Sequence, residues 1–190
     1  MNYKNKLNQI KAFIFDCDGV LTDGSITLMR NGEQVRTMST RDGYALQLAV
    51  KKGYIVALIT GGSSEAVKNR MNKLGVYDVY LSCHDKVKAL NELIHIYDLK
   101  TDEILYMGDD LPDYKVMQVV GLPSCPEDAA QEIKNVSQYI SNKKGGKGCV
   151  RDVIEQTMKL HGKWMNDTST PSISVSYTHL RAHETLRYLV

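Results

Sequence analysis

Ala12-Phe13-Ile14-Phe15-Asp16-Cys17-Asp18-Gly19-Val20-Leu21-Thr22-Asp23 decides how this chain is read. Four apolar residues bounded by turn formers read as a short buried strand, and two carboxylates one residue apart stand at its C-terminal end. Open α/β sheets bind their ligands at that edge. A buried run does not tolerate two uncompensated charges, so the acids either hold a cation or face an open crevice and do chemistry there. The plainer alternative makes Asp18-Gly19 a turn and nothing more.

A second cluster repeats the pattern. Ile104-Leu105-Tyr106-Met107-Gly108 is another short apolar run, and it ends in Asp109-Asp110-Leu111-Pro112-Asp113. If the two strands are neighbours in a parallel sheet, Asp16, Asp18 and Asp109 meet at one site of oxygen ligands without imidazole or thiolate. That donor set suits Mg²⁺. Asp110 and Asp113 are then acids supporting those ligands, or caps of the following helix.

Between the acidic clusters lie two features that suit a phosphate. Ile55–Ile59 runs into Thr60-Gly61-Gly62-Ser63-Ser64 and a helical pattern, which offers a hydroxyl and free backbone N–H groups. Lys86 follows Val79-Tyr80-Leu81 and opens a helix carrying Val87, Leu90, Leu93, Ile94 and Tyr97 on one side. Taken singly, Thr60 reads as a helix N-cap and Lys86 as a solvated helix residue. Their shared position at strand ends favours the functional reading.

With these residues in view, the chain resembles the haloacid dehalogenase superfamily phosphatases. The signatures are Asp16-Cys17-Asp18-Gly19-Val20, Thr60-Gly61-Gly62, Asp85-Lys86 and Gly108-Asp109-Asp110-Leu111-Pro112-Asp113, in the superfamily's order and spanning roughly residues 11–155. The resemblance implies a Rossmann-like core and an aspartyl-phosphate mechanism. Asp16 would be the nucleophile, and Asp18 the acid for the leaving alcohol and then the base for water. Mg²⁺ would be held by the Asp16 carboxylate, the Asp18 backbone carbonyl and Asp109. Thr60, Gly61 and Lys86 would grip the phosphoryl oxygens.

Spacing limits what covers such a site. The 41 positions from 19 to 59 must supply a hairpin, a helix and a strand, and the 22 positions from 87 to 108 a helix and a strand. No lid domain fits in either interval. The hairpin is signalled by Asn31-Gly32, a two-residue turn signature, between Ser25–Met29 and Gln34–Met38. The next helix starts at about Asp42, with Tyr44, Leu46, Leu48 and Val50 available for packing. Ile26, Leu28, Met29, Val35 and Met38 give the hairpin more apolar surface than an isolated hairpin should expose. It either folds back on its own core or packs against hairpins of other subunits, so that a neighbour roofs each site.

A narrower resemblance joins these pieces. Asp18–Gly24, Arg41–Leu46, Ile59–Gly61, Gly108–Asp113 and Gly145–Asp152 together look like the 3-deoxy-D-manno-octulosonate 8-phosphate phosphatase family. It implies a capless, homotetrameric enzyme of cytoplasmic lipopolysaccharide biosynthesis. Arg41 and Arg70 become candidates for the substrate's carboxylate or phosphate, since guanidinium forks suit both; each alone reads as an ordinary surface or ion-pair residue. The family likeness also brings the glycine-rich Gly145–Gly148 loop near an active site, ahead of a helix with Val150, Val153, Ile154, Met158 and Leu160 on one stripe. The related nine-carbon sialic-type 9-phosphates are the alternative substrate. A phosphomutase is disfavoured by the missing lid, and a non-catalytic oligomeric assembly module by the intact acids, Thr60 and Lys86.

Composition agrees with a small enzyme. At 190 residues the chain fits one domain, and strands alternating with helical patterns predict an α/β fold with a doubly wound parallel sheet. The expected boundaries are 1–165 for the phosphatase domain, hairpin at about 24–38, and 166–190 for a disordered tail. A net charge of +2 with dispersed basic residues argues against nucleic acid as a partner. No segment is long enough to span a membrane and the start lacks a signal-peptide pattern, so the cytoplasm is expected. Cys17, Cys83, Cys125 and Cys149 lack metal-pair spacing and read as free thiols, Cys17 as a small buried spacer. From about residue 174 to 190, VSYTHLRAHET and its surroundings resemble translated sequencing adapter, and this segment is left out of the functional reading.

Overall fold

β1 (Ala12–Phe15) is buried along its whole length, and it lies between β4 (Ile55–Ile59) and β6 (Ile104–Met107). The computed structural model describes residues 3–165. With β5 (Asp78–Tyr80), β7 (Leu122–Cys125) and β8 (Tyr139–Ile140) they form a six-stranded sheet in the order β5-β4-β1-β6-β7-β8, parallel throughout. The expected tail from residue 166, with its adapter-like segment, lies outside the described residues.

Period-two alternation explains why helices cover both faces. Phe13 and Phe15 point into one core with Leu7 of α1 (Tyr3–Leu7), Leu46 and Ala49 of α2 (Thr40–Lys51), Met71 of α3 (Glu65–Lys73), and Val153 and Ile154 of α7 (Cys149–Leu160). Ala12 and Ile14 point into the other, with Leu90 and Leu93 of α4 (Lys86–Tyr97), Met117 of α5 (Tyr114–Met117) and Ile133 of α6 (Gln131–Val136). Strands buried on both faces read as continuous apolar runs, which is how these were recognised.

Register aligns the functional ends. Phe15 pairs with Leu58 and Met107, so Asp16, Thr60 and Asp109 all emerge just past the same edge. The chain leaves β1 toward β4 on one side and returns to β6 on the other, which makes this edge a topological switch point.

The helix boundaries follow local chemistry. Ser39 caps α2, its hydroxyl accepting from Asp42 N, and Ser64 caps α3 by accepting from Val67 N. Thr60 is therefore not the N-cap that its sequence position suggests. Asp42, 1 % exposed, caps a different helix: its Oδ1 accepts from Arg151 N at 2.7 Å, where Gly148 offers α7 no side-chain cap. Tyr44 and Leu160, expected in the packing faces of α2 and α7, are exposed instead.

The hairpin differs from its two-residue reading. β2 (Thr27–Leu28) pairs antiparallel with β3 (Gln34–Val35), Met29 N donates to Glu33 O, and Gly32 N donates to Met29 O. Arg30-Asn31-Gly32 is thus a three-residue loop, with Gly32 at φ +83° in the position that needs a left-handed residue. Ile26, Leu28, Met29 and Val35 are exposed, while Met38 packs against the core.

Candidate active site

Asp16 stands at the tip of β1 with its residue only 8 % exposed; its Oδ1 accepts from Cys17 N at 2.7 Å and its Oδ2 faces Lys86 Nζ at 3.0 Å. Lys86 opens α4, whose N-cap Asp85 accepts from Lys88 N, and it is equally withdrawn from water. The same ammonium donates to Asp113 Oδ1 at 2.7 Å.

Asp113 is fully buried, and donors surround it. Its Oδ1 also accepts from the Tyr106 hydroxyl at 2.6 Å, and its Oδ2 from Asp109 N at 3.2 Å. Gly108 permits this approach, since a Cβ there would overlap the Asp113 side chain. Asp110 turns outward and caps the next turn by accepting from Leu111 N at 2.8 Å.

Carboxylate oxygens of Asp16, Asp109 and Asp113 lie within 4.8 Å of one another. Burial, then repulsion from Asp113, pushes the Asp16 carboxyl up to about 6 even though Lys86 opposes the shift. Burial and the charges of Asp16, Asp113 and Asp110 push Asp109 up to about 7. For Lys86 burial acts downward, but the two facing acids outweigh it and hold the ammonium above the ordinary lysine range. Among the described residues no donor reaches the Asp109 carboxylate. A half-buried acid facing other acids, in an all-oxygen set, is the environment a hard divalent cation relieves.

The backbone at Cys17–Leu21 turns tightly beneath this cluster. Gly19 takes φ +81°, and a Cβ on it would overlap the Asp109 carboxylate. Cys17 is buried, its thiol pushed up to about 12 by burial, which agrees with a spacer and not a nucleophile. Gly146 N donates to Val20 O at 2.9 Å, so the glycine-rich loop lies against the turn in the same chain.

Thr60 is 3 % exposed; its Oγ1 accepts from Gly62 N at 3.1 Å, which leaves its proton to donate. The Asp18 carboxylate points elsewhere from the acid cluster: it is bound by Arg36, Nε to Oδ1 at 2.7 Å and Nη2 to Oδ2 at 3.0 Å. The side-chain acids that converge are therefore Asp16, Asp109 and Asp113, and with both carboxylate oxygens held by Arg36, Asp18 has its main-chain carbonyl to offer a cation. Arg41 and Arg70 fall outside the cluster. Arg41 lines an open cleft of about 340 Å³ with Asp23, Ser39 and Lys147, and Arg70 reaches over Gly43 of α2.

Arg36 and Tyr106 were missed by sequence reasoning. A tyrosine inside a buried strand needs a hydroxyl partner, and that requirement is the signal by which Tyr106 could have been tied to a nearby acid. For Arg36, on a short exposed hairpin, there was no such signal.

The match to known proteins agrees with this geometry. A family model described as haloacid dehalogenase-like hydrolase matches residues 75–154. The 3-deoxy-D-manno-octulosonate 8-phosphate phosphatase of Salmonella typhi is 34 % identical over 158 residues, covering 83 % of this chain and 84 % of that one. The chain belongs to the haloacid dehalogenase-like hydrolases, in the 3-deoxy-D-manno-octulosonate 8-phosphate phosphatase family.

Two solved structures of that phosphatase family superpose closely. The one from Yersinia pestis has a TM-score of 0.85 at 32 % identity, covering 87 % of this chain and 89 % of its own. The one from Moraxella catarrhalis, a complex with a magnesium ion, a phosphate ion and a KDO molecule, has a TM-score of 0.83 at 34 % identity, covering 86 % and 95 %. Among the described residues, the interval between Asp18 and Thr60 holds only the hairpin, α2 and β4 besides its turns, and that between Lys86 and Asp109 the rest of α4, one short turn of helix and β6, so neither carries a lid domain.

Proposed function

We propose that the chain hydrolyses 3-deoxy-D-manno-octulosonate 8-phosphate to the free sugar acid and phosphate. The observation that carries this reading is the meeting of Asp16, Asp109 and Lys86 at adjoining strand and helix ends, in a chain one-third identical to enzymes of that name. Asp16, Asp109 and the Asp18 main-chain carbonyl would hold Mg²⁺, as the relative from Moraxella catarrhalis holds a magnesium ion. Bound there, Mg²⁺ neutralises the phosphoryl charge that would otherwise repel a carboxylate.

Asp16 attacks phosphorus, an aspartyl phosphate forms, and the bond from phosphorus to the sugar oxygen breaks. Asp18 gives its proton to that oxygen. Water then attacks the aspartyl phosphate, Asp18 takes the water's proton, and phosphate leaves with Asp16 restored. Lys86 has three N–H donors, two of them held by Asp16 and Asp113, and the third serves a phosphoryl oxygen. The Thr60 hydroxyl and Gly61 N–H serve the others. Asp113 holds Lys86 and the Asp109 main chain from behind, Asp110 caps the turn that follows, and Arg41 and Arg70 remain candidates for the sugar carboxylate only if substrate or a neighbouring subunit draws them in.

The working enzyme is a homotetramer in this reading, since the hairpin exposes Leu28 at 76 % with Met29 and Val35 beside it. The unit is residues 1–165. Four free cysteines suit the reducing cytoplasm, and among the described residues no helix is long and apolar enough to cross a membrane. Phosphate release from a panel of sugar phosphates with Mg²⁺ tests the substrate. Preference for the eight-carbon 8-phosphate is expected, and faster turnover of a nine-carbon 9-phosphate would move the assignment to that sugar.

A further inference from the structure

We propose that Arg36, carried by the hairpin, is the positioning residue that aims Asp18 for proton transfer. This rests on the reading of Asp18 as acid and base given above. Arg36 follows β3, a strand exposed at both residues, yet its own side chain is only 7 % exposed because it folds inward onto the site. Its Nε and Nη2 grip both oxygens of Asp18, while Nη1 donates to Gln34 O at 3.2 Å and ties the guanidinium plane to the hairpin backbone. A two-point fork sets the rotation of a carboxylate as well as its position. The other side-chain contact to Asp18, from Thr22 Oγ1, is long at 3.5 Å and cannot do the same.

The fork also chooses where Asp18 points. A Cβ placed on Gly62 would lie 3.5 Å from Arg36 Nη2, 3.5 Å from Thr60 Oγ1 and 3.6 Å from Asp18 Oδ2. The guanidinium and the acid therefore converge beside the hydroxyl assigned to the phosphoryl group, and Asp18 is not among the acids that cluster as Asp16, Asp109 and Asp113. Without Arg36 the carboxylate loses its two-point hold, and with it its aim. Because Gln34 and Arg36 are joined, any shift of the hairpin shifts the acid with it.

The rival explanation is a tether that pins the hairpin and does nothing for turnover. Arg36→Gln, Arg36→Lys and Asp18→Asn, compared on the sugar phosphate and on p-nitrophenyl phosphate, separate the two. For Arg36→Gln, kcat on the sugar phosphate should fall about 100-fold with KM within about threefold, the size expected for misdirected acid–base catalysis. On p-nitrophenyl phosphate the same variant should release a burst of one nitrophenolate per site, because this leaving group departs without a proton while the later attack of water is slow. Arg36→Lys, which keeps the charge without the fork, should recover about tenfold of the lost kcat. Wild-type kcat in Arg36→Gln overturns the proposal in favour of the tether, and a tenfold rise in KM at unchanged kcat overturns it in favour of direct phosphate binding. Asp18→Asn must be nearly inactive on the sugar phosphate; if it is active, the reading of Asp18 itself fails, whatever Arg36 does.

Discussion

Lys86 Nζ lies 3.0 Å from Asp16 Oδ2, with the two side chains 6 % and 12 % exposed. This ammonium also balances Asp113, so its removal leaves two acids in a poorly hydrated place without their counter-charge. Breaking a buried pair in this way costs about 3–5 kcal/mol. Lys86→Met should therefore melt well below the wild type and lose turnover. Asp16→Asn removes a charge that burial already opposes, so it should lose turnover and melt at or above the wild type. Thermal scans beside phosphate-release assays check both, and a Lys86→Met chain as stable as the wild type contradicts the pairing.

Stability without metal should fall as pH rises through the acidic range. Asp16 and Asp109 titrate at about 6 and about 7 in the fold against an ordinary 3.8, so the unfolded chain gives up these protons first. Their ionisation costs the fold stability between about pH 4 and pH 7, and the loss levels off above that. Mg²⁺ binds the ionised acids, so the rise in melting midpoint that it gives over EDTA should grow across the same window. Equal Mg²⁺ shifts at about pH 5 and about pH 8 contradict the assigned ligands.

Gly19 permits the approach of Asp109 to the turn below it. An alanine there meets a left-handed backbone at a cost of about 1–2 kcal/mol and drives the Asp109 carboxylate aside. Gly19→Ala should bind Mg²⁺ at least about tenfold more weakly by calorimetry, the size seen when a ligand loses its support. Wild-type affinity in that variant means Asp109 is not a ligand.

The hairpin surface predicts assembly. Light scattering at micromolar concentration should give the mass of a tetramer, and Leu28→Asp combined with Val35→Asp should give a smaller species. A monomeric wild type contradicts the shared-roof reading of the hairpin.

What the sequence disclosed follows from which signals are local. Asp16 and Asp109 were legible as partners because each ends a wholly apolar run, and parallel pairing of such runs aligns their tips. Thr60 and Lys86 followed from the same register. The pairing of Arg36 with Asp18 spans 18 positions and leaves no periodic trace, since a charged residue on an exposed hairpin looks the same whether it folds inward or outward. Asn31-Gly32 suits both a two-residue turn and the loop actually formed, because both put Gly32 where a left-handed residue is needed. For Asp113 the sequence leaves a supporting acid and a helix cap both open, because its burial depends on Gly108 and on the Tyr106 hydroxyl, which only the packed strand reveals.

The central claim is that Asp16 carries the phosphoryl group during turnover. Acid-quenching the enzyme during hydrolysis of ³²P-labelled 3-deoxy-D-manno-octulosonate 8-phosphate with Mg²⁺, then mapping the labelled peptide, tests it most directly. Label on the peptide containing Asp16, absent from Asp16→Asn, is the predicted result; turnover with label on another residue, or an Asp16→Asn chain that still releases phosphate at the wild-type rate, contradicts it.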